Sequence, residues 1–224
     1  MLELSFHDLV RQRRSVRKYL PIPLSKRLLT EVLEDAQWAP SNCNIQPWQV
    51  QIVSGATKDK LSAALKAEHL AGRTSEDFWF DHNGYSGEHL ARMMHMGQAR
   101  NEALNIARED QQRRDAEMLR QFEFFDAPHV ALLFMPEFGD CVRTAGDLGM
   151  YGQNFLLSLT AHGLAGIPQT LLGMHAGVIR DVLGISPELK MLYGISFGHP
   201  DPAASGYSVN LGREPISKSV TFYD

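Results

Sequence analysis

Apolar positions first fall at helical spacing in Phe6, Leu9 and Val10. Ser5 stands where a cap belongs, so a helix is expected over Ser5–Arg13. Pro21 and Pro23 then enforce extended chain. A second helix is expected from Ser25 to about Trp38. Its apolar face is Leu28, Leu29, Val32, Leu33 and Ala36, and Pro40 stops it. Trp48–Ser54 (WQVQIVS) alternates apolar and polar and reads as a strand. Thr57 is the expected cap of a third helix with Leu61, Ala64, Leu65 and Leu70 inward, ended by Gly72.

Arg73–Glu88 shows no period but carries Phe78, Trp79, Phe80 and Tyr85. It is either a lid over a site or a surface excursion whose aromatics tuck into the nearest core. His89–Gln121 reads as one polar helical stretch with Met93, Met94 and Met96 near its start. Ala127–Met135 (APHVALLFM) is almost continuously apolar, the pattern of a central strand. Val142–His162 is a long helix with Leu148, Phe155, Leu156 and Leu159 inward. Gly146, Gly149 and Gly152 leave a groove along it that another backbone or a flat ligand could enter. Gly163–Thr170 reads as a sharp turn ending in amide chemistry, and His175–Leu183 as a short helix. Met191–Gly198 is the third strand. In the tail after Arg213, Ser219–Tyr223 alternates and could add a strand to its own sheet or a neighbour's. Three or four strands among helices place 1–224 in one domain of mixed α and β class, with a lid or excursion at 72–122.

Composition narrows the function classes. At 44% hydrophobic and 21% charged, the 224 residues suit an ordinary packed core. The start lacks an apolar signal region, and no run approaches a membrane span. Cys43 and Cys141 have no CxxC spacing and are expected as free thiols, which places the protein in the cytoplasm by elimination. A net charge of −4 argues against a nucleic-acid partner. His82, His89 and His95 lack a completing Cys or acidic ligand, so no metal is expected.

Against that acidic balance stands Arg13-Arg14-Ser15-Val16-Arg17. Such a run is either a solvated face or a pocket for one anion, whose oxygens the forked guanidiniums and the hydroxyl would grip. Ala39–Trp48 (APSNCNIQPW) is uncharged and rich in amides. It is either an Asx-rich turn or a cradle for a neutral heterocycle.

Together these stretches resemble the FMN-dependent nitroreductase family. The matching residues are Arg13–Tyr19, Ala39–Trp48, Asp126–Phe134, Gly163–Gln169 and Gly212–Pro215, in the family's order. The resemblance implies an α+β fold of three layers, α/β/α, with a mixed, mainly antiparallel central sheet in an intertwined homodimer. Two FMN molecules would lie at the subunit interface. Arg13, Arg14, Ser15 and Arg17 would then hold the phosphate and flavin edge, with Arg213 as a further phosphate contact. Pro40, Ser41, Asn42 and Asn44 would come from the other subunit. Pro168, Gln169 and Thr170 would lie by the ring, with backbone N–H groups near Gln169–Thr170 at its N5. Two departures stand out. Leu211 occupies a position where many members have Lys. Where many have an Asn before the central strand, Arg120 and Gln121 are the candidates here.

The implied activity is ping-pong transfer of a hydride from NADH or NADPH, through flavin N5, to a small aromatic acceptor, a nitroaromatic or quinone. No GxGxxG follows a strand, which favours one shared cleft. The alternatives are a flavin-dependent dehalogenase or flavin-cleaving relative, using Glu76, Asp77 and Glu88 against a zwitterion, or a non-catalytic FMN-binding protein.

Overall fold

The computed structural model describes residues 4–81 and 83–224. His82 lies outside the described residues.

The fold is built on β2 (His129–Pro136), whose residues are almost all buried. Successive strand side chains point to opposite faces, and here both faces are covered. Val130, Leu132 and Phe134 join Leu61, Leu65 and Ile179 in one core. Ala131, Leu133 and Met135 join Val32, Ala36, Leu148 and Phe155 in the other. Helices α3 (Gly55–Leu70) and α8 (Ala176–Leu183) therefore cover one face, and α2 (Lys26–Gln37) and α6 (Val142–Ala161) cover the other. With β1 (Gln49–Ser54), β3 (Ala165–Gln169) and β4 (Leu189–Gly198), the sheet order is β1-β2-β4-β3. Each pairing is antiparallel. This is the expected three-layer α+β arrangement.

Local chemistry sets most boundaries. Ser5 accepts from the Asp8 N–H to start α1 (Phe6–Gln12), and Ser25 accepts from the Leu28 N–H to start α2. Gly72, at φ +66, follows the end of α3 in the left-handed conformation that glycine adopts freely.

Four expectations need revision. First, 163–170 is not only a turn, because Ala165–Gln169 forms β3. Its Gly and Pro hide the alternation. As an edge strand it tolerates Pro168, and Leu156, Leu159 and Ile195 crowd the space where a Cβ on Gly166 would sit. Second, α3 starts at Gly55 without a side-chain cap, so Thr57 lies inside it, and Leu70 is exposed. Third, the polar stretch is two helices, α4 (Gly87–Ala103) and α5 (Gln111–Leu119). Asp110 caps α5, and Arg113 donates to the Leu104 and Asn105 carbonyls at the end of α4. Uniform polarity concealed that break. Fourth, the tail adds no strand to its own sheet. It contains a single turn at Ile216–Lys218 and leaves Phe222 and Tyr223 exposed.

Candidate functional site

The C-terminus of α1 delivers Arg13, Arg14, Ser15 and Arg17 to a cleft of about 510 Å³. Asn210–Arg213, two hundred residues away, closes another side, and Arg11, Arg100 and Met96 complete the wall. Among the described residues six arginines line this cleft and no carboxylate does. The electrostatic consequence is direct. Burial, reinforced by the neighbouring Arg100 charge, pushes the Arg17 guanidinium down to about 10. Arg13 is lowered by burial and then by Arg213 and Arg14. Crowded like charges, partly out of water, are stabilised by a bound anion. A phosphate fits this set, because each guanidinium can offer two parallel donors.

The arginines are not equivalent. Arg14 turns back and donates to the Arg13 carbonyl at 2.9 Å and to the Arg11 carbonyl, satisfying the end of α1. Arg17 spends one contact on the Ser15 carbonyl at 3.3 Å. Arg100 lines the cleft while Glu117 holds its Nη2 at 3.0 Å, and its buried Nε has no partner among the described residues.

The amide-rich stretch lies apart from this cleft and lines a different depression, with Gln37, Trp38, Ala39, Pro40, Asn44 and Gln46. It is rigid. Cys43, Asn44 and Gln46 hold positive φ, and Ser41 Oγ accepts the Gln46 N–H at 2.9 Å. Buried Asp147 on α6 accepts the Asn42 N–H at 3.0 Å. Trp48 donates to Gln37 at 2.8 Å and packs on Tyr151, which roots the loop. Pro40, Asn42 and Asn44 point outward, and Ser41 is half-buried.

The remaining expected residues divide. Pro168 and Thr170 are exposed at the end of β3. The Gln169 side chain is buried and committed. Its Nε2 donates to the Gln121 carbonyl at 3.0 Å, and its Oε1 accepts from Ser196. Only its backbone remains for a ligand. Gln121 donates to Met118 Sδ and does not line the arginine cleft. Arg120 is turned away to Glu117, Asp126 and the Arg17 carbonyl. The sequence alone does not mark Arg100, Asp147 or Tyr207. Arg100 and Tyr207 sit in polar stretches without a motif, and Asp147 reads as a solvent-facing break in a helix.

The excursion is not a free flap at its base. Ser75 bonds both Met174 and Gly177, and Asp77 accepts from Arg180 at 2.5 Å and the Met191 N–H at 2.7 Å. Beyond that anchor Trp79 and Tyr85 are exposed. His89 contacts Arg92, and no His, Cys, Asp and Glu group suited to a metal occurs among the described residues.

A family model described as the Nitroreductase family matches residues 10–199. The chain belongs to the nitroreductase family. Relatives of this nitroreductase agree over nearly the full length. The chain is 38% identical to nitroreductase NfnB of Mycolicibacterium smegmatis, over 96% of this chain and 91% of that protein. It is 33% identical to a 4-nitrobenzoate reductase of a Nocardioides species, over 97% and 90%. Its fold matches the crystal structure of the FMN-dependent NfnB of Mycobacterium smegmatis in complex with NADPH. There the TM-score is 0.92 at 37% identity, covering 97% of each chain. No helix among the described residues is long and apolar enough to cross a membrane.

Proposed function

We propose that this chain is an FMN-dependent oxidoreductase that carries reducing equivalents from NADPH or NADH to nitroaromatic or quinone acceptors. It acts as one domain per subunit in a homodimer. The observation that carries this reading is the cleft of six guanidiniums, with no lining acid among the described residues, built jointly by the first helix and the chain's tail. Arg13, Arg17 and Arg213 would hold the phosphate, and Ser15 adds a hydroxyl donor. Bound FMN supplies a two-electron carrier that the side chains here do not provide.

The protein's own work is binding and orientation. The outward amides at Asn42 and Asn44 lie on a different face from the arginines, so a second subunit must bring them to the same flavin. Pro168 and Thr170, exposed at the end of an edge strand, offer backbone beside the ring. The anchored excursion can cover the acceptor, with Trp79 and Tyr85 beyond the Asp77–Arg180 pair. NADPH is the favoured reductant, since the M. smegmatis relative is described with it. A cytoplasmic site of action agrees with two free cysteines, Cys43 exposed and Cys141 buried.

The dehalogenase alternative loses ground on one particular. Of its three candidate carboxylates, Asp77 is consumed by Arg180 and Met191, and Glu88 pairs with Lys218 and Arg92. The deciding experiment is anaerobic. FMN-loaded protein titrated with NADPH loses its flavin absorbance, and 4-nitrobenzoate or a quinone restores it while a halotyrosine does not. A bound flavin that neither nicotinamide bleaches overturns the assignment in favour of a non-catalytic binder.

A further inference from the structure

We propose that Arg120, stacked on the Tyr207 ring and bonded to the Arg17 carbonyl, is a positioning residue that fixes the phosphate-binding guanidinium of Arg17. The inference rests on the FMN reading above. Arg17 is pinned on both sides of its side chain. Its N–H donates to the Tyr207 carbonyl at 3.0 Å, and its carbonyl accepts from Arg120 Nη2 at 3.0 Å. With both backbone groups held, the point from which the side chain departs is fixed, and the Nη1 contact to the Ser15 carbonyl at 3.3 Å limits its swing.

Arg120 can hold that bond because it is itself over-determined. Its guanidinium lies 4.5 Å from the Tyr207 ring centroid and 5.7 Å from that of Phe125. Asp126 accepts from Nη2 at 3.1 Å, and Glu117 accepts from Nη1 at 3.4 Å. Each carboxylate has a second cation, Lys18 at 2.7 Å on Asp126 and Arg100 at 3.0 Å on Glu117. Phe124, Phe125 and Asp126 all adopt positive φ, a conformation costly for such residues. Burial of both phenylalanine rings offsets that cost and presents the Asp126 carboxylate to Arg120. Arg120 does not line the cleft, and the cleft residue it bonds directly is Arg17. A lysine would supply charge but neither the planar stacking nor the two-sided fork.

The test compares FMN with riboflavin, which lacks the phosphate, by quenching of flavin fluorescence. Arg17→Ala weakens FMN binding by about 10- to 150-fold, the loss of a charged hydrogen bond, and leaves riboflavin unchanged. Arg120→Met weakens FMN by about three- to tenfold, as for a bond misplaced rather than removed, with riboflavin again unchanged. In the double variant the Arg120 effect vanishes, because the group it positions is gone. If Arg120→Met does not fold by its thermal midpoint, Asp126→Asn carries the same comparison, because Asp126 holds Arg120 and Lys18 and neither lines the cleft. Parental FMN affinity in the Arg120 variant, equal losses for FMN and riboflavin, or additive losses in the double variant would each overturn the inference. An Arg17→Ala protein with parental FMN affinity would instead refute the phosphate site itself.

Discussion

His129 shows how one buried residue couples a local bond to the pH behaviour of the whole chain. Its Nε2 accepts the Leu24 N–H at 2.9 Å, which requires a neutral ring with the proton on Nδ1. Burial, then the Lys58 charge, lowers its pKa, and His175 is lowered by burial and then by His69, against the opposing pull of Glu68 and Glu76. Both folded values lie below the unfolded one of about 6.5. Near and below that pH the unfolded chain binds more protons than the folded one, so stability is full above it and falls on acidification. The thermal midpoint should therefore drop between about pH 7.5 and 5.5, and His129→Gln should flatten the drop without abolishing it. Equal slopes in parent and variant would count against this account. Nothing in the sequence marked His129, one residue in an apolar run. Arg13 and Arg17 were legible because a dense basic run stands out in an acidic chain. Arg100 was not, because proximity across 83 residues (from 17 to 100) leaves no local trace.

Among the elements, α6 and β4 illustrate what periodicity can and cannot tell. The apolar face of α6 was readable from Leu148, Phe155, Leu156 and Leu159, and all four are buried. Its three glycines looked alike in sequence yet serve different surroundings. A Cβ on Gly152 would meet Tyr193 Oη at 2.0 Å, whereas nothing lies within 4 Å of one on Gly146 or Gly149. Tyr193 Oη donates to the Leu148 carbonyl at 3.1 Å, so the phenol is itself anchored and cannot swing away freely. Burial pushes its pKa up to about 12. Gly152→Ala should cost about 1–3 kcal/mol by overpacking, measured as a lower urea midpoint at unchanged slope. Tyr193→Phe in the same chain should recover part of it. Full stability of Gly152→Ala would mean that α6 and β4 are not so closely apposed. The missed β3 follows the same logic, since its Gly166 is dictated by Leu156 and Leu159 on the preceding helix.

At the scale of the molecule, the outward side of α6 argues for a second subunit. Val142, Gly146, Gly149, Met150 and Gln153 fall at helical spacing and are all exposed, on a helix whose other side is core. Val142 is 67% and Met150 39% exposed, apolar surface that a lone subunit would leave in water. The exposed amides of the 41–46 turn and the unpaired tail, with Phe222 and Tyr223, add to the same deficit. Gly149 separates the two pictures by sign. In a lone subunit Gly149→Ala should stabilise by about 1 kcal/mol through helix propensity, and Gly149→Trp should be tolerated. Across a close helix contact, Gly149→Trp should expel the partner. Because the arginine cleft and the amide turn would then come from separate molecules, it should also release FMN. Sedimentation at micromolar concentration, read with flavin absorbance, tests both consequences together. A Gly149→Trp protein that keeps the parental mass and its flavin would remove this face of α6 from the interface.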